Sequence, residues 1–124
     1  MGRPYSSPNF SGNHIVCLGK IDSNASTDTS QAKFTAYMNA KVTEVFVVVQ
    51  AAGTATDAGY TIKKGTSSVG AITVGTAAAG SIKAADLTDT NLTSTDVLHI
   101  HNITSDTQQE AYVYVVYQER FTNS

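Results

Sequence analysis

From His14 onward, short apolar runs alternate with clusters of Gly, Ser, Thr, Asn and Asp, and no long stretch repeats apolar residues at helical spacing. That rhythm predicts about eight strands in a sandwich or barrel. The first strand covers 14–21, and polar turn formers fill 22–30. The second, 33–38, alternates Phe34, Ala36 and Met38 against Thr35 and Tyr37; Ala, Lys and Met in 30–40 also leave a helix open there. The third, 42–50, carries Val45-Phe46-Val47-Val48-Val49, apolar on both faces, which predicts a central strand covered on both sides. Segments 60–64 and 69–74 flank Gly65-Thr66-Ser67-Ser68 and read as a hairpin whose glycine supplies positive φ. A short strand at 81–84, a surface crossover at 86–96, and strands at 97–103 and 110–118 complete the set. In the last, Ala111, Val113, Val115 and Tyr117 share one face, and Tyr112, Tyr114, Val116 and Gln118 share the other.

Residues 1–13 show neither period; they hold both prolines, Tyr5 and Phe10, and read as an extended N-terminal arm before a domain at 14–124. A length of 124 residues fits one core. Twelve Val against four Leu favour strands over helices. The net charge of -2 and the 15% of charged residues argue against non-specific nucleic-acid binding, and no apolar run reaches the length of a signal peptide or membrane helix. Cys17, the only cysteine, permits no intrachain disulfide and reads as a small buried core residue in Ile15-Val16-Cys17-Leu18.

Candidate chemistry is sparse. His99 and His101 lie two apart on a strand and share a face, the geometry of two metal-bound imidazoles, but no third ligand falls at a metal spacing. They read instead as interface residues, with no metal and no cofactor. The Gly75–Gly80 tract lacks the Lys-Ser or Lys-Thr ending of a phosphate loop. Asp86, Asp89, Asp96 and Asp106 sit among Thr and Asn, where carboxylates form turns. No serine stands in a nucleophile elbow, so the reading is non-enzymatic. The tyrosines of the last strand alternate with valine and read as core or subunit interface. A small domain with doubly apolar strands covers its second face by association.

The order of segments then carries a resemblance. The central valine run, the hairpin Tyr60-Thr-Ile-Lys-Lys-Gly-Thr-Ser-Ser-Val-Gly-Ala-Ile-Thr-Val74, the Ala/Gly/Thr tract, Asp96-Val97-Leu98 and the final Ala-Tyr-Val-Tyr-Val-Val-Tyr strand resemble small jelly-roll virion proteins of tailed bacteriophages. The similarity covers about residues 40–118, and Thr95 stands where such domains often have Gly before Asp-x-Leu. The resemblance implies an eight-stranded antiparallel jelly-roll sandwich and a head decoration or cement protein, often trimeric, that clamps major capsid protein subunits. It places the protein on the outer capsid surface of the virion, after synthesis in the host cytoplasm. Arg3, Pro4, Tyr5, Pro8 and Phe10 of the arm become candidates for capsid or inter-subunit contact. Phe46, Val48, Tyr112, Tyr114, His99 and His101 become trimer-interface candidates. The same module in head or tail fibres makes receptor or glycan binding the alternative.

Overall fold

The computed structural model describes residues 13–21, 30–88, 90–103 and 109–120. The strands are β1 (His14–Ile21), β2 (Ser30–Phe34), β3 (Ala40–Ala51), β4 (Gly59–Lys64), β5 (Ser67–Thr73), β6 (Ile82–Ala84), β7 (Asp86–Leu87), β8 (Asn91–Leu92), β9 (Leu98–Asn102) and β10 (Glu110–Glu119). The all-β expectation holds, and every strand pairing is antiparallel. Sheet A runs β1-β10-β3-β6, with β8 also on β3; sheet B runs β2-β9-β4-β5-β7. The arm assigned to 1–13 lies outside the described residues apart from Asn13, whose side-chain oxygen accepts a hydrogen bond from Gln118 Nε2 at 2.9 Å.

One apolar core lies between the sheets. Sheet A contributes Val45, Val47, Val49, Ala111, Val113 and Val115, and sheet B contributes Tyr60, Ile62, Ile72, Leu98 and Ile100. Full burial of each such aliphatic side chain is worth about 1.5–3 kcal/mol relative to exposure. The valine run divides as its period of two requires: Val45, Val47 and Val49 point inward, and Phe46 and Val48 stand half-exposed outside. A bulge sustains that division, because Val116 faces Glu44 while Tyr117 faces Val42, so Thr43 is the extra residue. Thr43 Oγ1 donates to the Val116 carbonyl at 3.2 Å across this irregularity. Val42 thereby turns inward opposite Tyr117, which follows Val113 and Val115 on the inner face and meets Phe34 and His14, with ring centroids 5.0 and 5.2 Å apart.

Three sequence expectations change. The second strand ends at Phe34, and Tyr37 turns the chain at φ 60, so 30–40 is neither a helix nor a strand to 38. The crossover 86–96 contains two brief pairings, Gly70 and Ala71 with β7, and Ala40 and Lys41 with β8. Cys17 is exposed rather than buried, because β1 is the edge of sheet A and Cys17 faces outward beside Tyr114. The hairpin forms as expected, with Gly65 at φ 64 in its turn.

Candidate functional site

The outer face of sheet A is an apolar and aromatic surface. Register places Cys17, Tyr114, Phe46 and Ala84 in one row across β1, β10, β3 and β6. The next row is Lys20, Tyr112, Val48 and Ile82. Phe46 and Tyr114 stack with centroids 5.1 Å apart and planes at 9°, an arrangement worth about 0.5–1.5 kcal/mol beyond area burial. At the flanks Ile15 is 66% exposed and Ile82 65% exposed. The Tyr114 phenol is raised above its ordinary pKa, first by the charge of the neighbouring Cys17 sulfur, then by desolvation and a hydrogen bond to it. Lys20 and Glu110, paired at 3.4 Å, mark the polar rim.

Four of the six residues read from sequence as interface candidates, Phe46, Val48, Tyr112 and Tyr114, therefore share one continuous face. His99 and His101 do not join them. They stand on the outer face of sheet B, where Lys33, His99 and Lys63 form one cross-strand row and Ser30, His101 and Thr61 the next. The two imidazole centroids are 6.2 Å apart. His99 sits below its ordinary pKa, first from burial, then from the charges of Lys33 and His101. Among the described residues, no group of three or more His, Cys, Asp or Glu side chains is placed to hold a metal ion. The arm candidates Arg3, Pro4, Tyr5, Pro8 and Phe10 lie outside the described residues.

Sequence reasoning missed Ile15, Cys17 and Ile82 on the apolar face, because their phase relative to Phe46 depends on which strands pair. It also missed two polar contacts that brace the sandwich. Tyr60 donates to Gln109 Oε1 at 2.6 Å in the interior, and Gln109 Nε2 donates to the Gly75 carbonyl at 3.2 Å. Burial lifts the Tyr60 phenol to a pKa of about 12. Arg120 donates to the carbonyls of Ala40 and Leu92 at 3.2 and 3.1 Å, tying the end of β10 to the start of β3 and the end of β8. Asp96 accepts from the Thr93 N–H at 2.9 Å, the turn-forming use expected of these loop carboxylates.

In comparison with known proteins, the chain matches no family model and no curated protein. The functional reading therefore rests on the chemistry of the two outer faces.

Proposed function

We propose that the chain is a structural jelly-roll protein of a tailed-phage virion, self-associating as a trimer and decorating or cementing the outer surface of the capsid. The apolar outer face of sheet A carries this reading. Phe46, Val48, Tyr112, Tyr114, Ile15 and Ile82 stand together there, and a contiguous apolar patch on a small domain marks an association surface. Burying it between copies removes the patch from water and leaves the opposite sheet and the sheet ends for other partners. A trimer presents each weak contact three times, which turns modest affinities into firm attachment.

The pairing order supports the jelly-roll part of the reading. β4 pairs with β5, β3 with β6 and β8, β2 with β9, and β1 with β10, so the first half of the chain meets the second in reverse order. A long hairpin rolled over two sheets has this pattern, that of paired Greek keys. Residues 1–13, which precede β1 in sequence, are assigned in this reading to capsid contact, with Arg3, Pro4, Tyr5, Pro8 and Phe10 as the contacting groups.

Virus particles banded from the source host provide the test. The reading expects the chain in purified particles, released from heads when residues 1–13 are deleted while the sandwich remains folded. Particles that lack the chain overturn it. One observation favours the receptor- or glycan-binding alternative: Tyr37, 82% exposed at φ 60, presents an aromatic ring at a tight bend beside the exposed Met38. Binding of a glycan array that is lost in Tyr37→Ser would move the assignment to that alternative.

A further inference from the structure

The outer face of sheet B sets like charges against one another. Lys33 lies directly opposite His99, and His99 directly opposite Lys63. Like charges in such positions repel once the imidazole is protonated. Among the described residues the ion pairs are Lys20 with Glu110 and His14 with Glu119, so neither Lys33 nor Lys63 has a carboxylate within ion-pair distance there. A row of this kind, left without a carboxylate partner among the described residues, points to an anion supplied from outside.

The hydrogen bonds around His99 fix its proton. The Ser30 hydroxyl donates to the Ala32 carbonyl at 3.0 Å, so its oxygen accepts from His99 Nδ1, 3.1 Å away. The neutral ring therefore carries its hydrogen on Nδ1, and Nε2 takes the second proton. Protonation converts Nε2 from acceptor to donor in a row flanked by two ammonium groups. The groups facing His99 are Ser30 and Lys33 from β2, Lys63 from β4 and His101 on its own strand.

We propose that the Lys33–His99–Lys63 row is a docking site for an acidic segment of a partner protein, bound more tightly as pH falls below neutrality. Neighbouring strands are about 4.8 Å apart, so the row spans about 10 Å; carboxylates two residues apart on an extended segment are separated by about 7 Å and fit within it. Thr61 and Ser68 flank the row with hydroxyl donors. A nucleic acid requires a longer basic stripe, and the net charge of -2 opposes a polyanion at range. An incoming carboxylate offsets the repulsion from Lys33 and His101, so binding takes up a proton at His99. The site lies on the opposite face from the apolar surface of sheet A and stands independently of self-association.

The test is an NMR titration of the full chain with a capped peptide alternating glutamate and glycine, at about pH 5.5 and about pH 7.5, with inorganic phosphate as a second probe. The proposal expects shifts centred on Lys33, His99 and Lys63. Affinity should rise about tenfold on acidification, the equivalent of one pKa unit gained by His99 on binding. His99→Gln should keep the folded spectrum and lose the rise in affinity between the two pH values, and Lys33→Ala with Lys63→Ala should weaken binding at both values. Three outcomes overturn the proposal: no peptide binding, shifts spread evenly over Lys20, Lys41 and Lys83, or occupation of the row by phosphate with none by the peptide.

Discussion

Replacing Tyr60 by phenylalanine removes one oxygen from the interior and leaves the ring in place. That oxygen donates to Gln109 Oε1 at 2.6 Å, and the two residues are 2% and 1% exposed. Removing one partner from so deeply buried a hydrogen bond costs ~1–3 kcal/mol; about 2 kcal/mol is expected. At an unfolding entropy of about 2.1 cal/mol/K per residue, this corresponds to a fall of about 8 °C in Tm for a chain of 124 residues. Calorimetry at fixed protein concentration measures it, which keeps any linkage to association constant. The pH dependence provides a second readout. In the unfolded chain the phenol ionises near its ordinary value of 10, but in the folded protein only at about 12. Its contribution is therefore complete below pH 10 and declines as pH rises through 12. The difference between wild type and Tyr60→Phe should narrow across that window. An unchanged Tm together with identical alkaline slopes would refute the account of Tyr60 as a buried latch.

Other consequences follow from single residues. A methyl group at Gly59 runs into the Ile72 carbonyl on the paired strand, so Gly59→Ala should cost about 3 kcal/mol in urea unfolding, at the upper end of overpacking effects. Ile100→Ala, at a fully buried position where the sheets meet, should cost ~2–5 kcal/mol by the same measurement. Cys17, exposed on the single chain beside Tyr114, should react slowly with a thiol reagent in the associated protein and quickly after Phe46→Asp. Equal rates in the two proteins would mean that the face remains open to solvent.

The parts of the fold that were legible in sequence are those decided by local period. The alternation of Ala111 to Gln118 assigned both faces of β10 correctly, and the spacing around Gly65 located the hairpin. The valine run announced a central strand because it is apolar on both faces. What stayed hidden depends on pairing. Cys17 lies in an apolar run that reads as core, yet β1 is an edge strand and its bulge between Cys17 and Gly19 changes which residues point inward. Phe46 and His99 carry similar interface signals in sequence but lie on opposite sheets, a distinction set only by strand order. The bend at Tyr37 could not be read from composition, since a tyrosine at positive φ offers no glycine or asparagine to mark it. The brief β7 and β8 pairings occupy a crossover whose Thr, Asp and Asn content signals turns.

The central claim is that the outer face of sheet A is covered by sister subunits. Light scattering coupled to size exclusion on the full chain tests it most directly, with Phe46→Asp run alongside. The account predicts a species of three times the 13.0 kDa chain mass that falls to a single chain in the variant. A wild-type protein that elutes at 13.0 kDa across the accessible concentrations contradicts it.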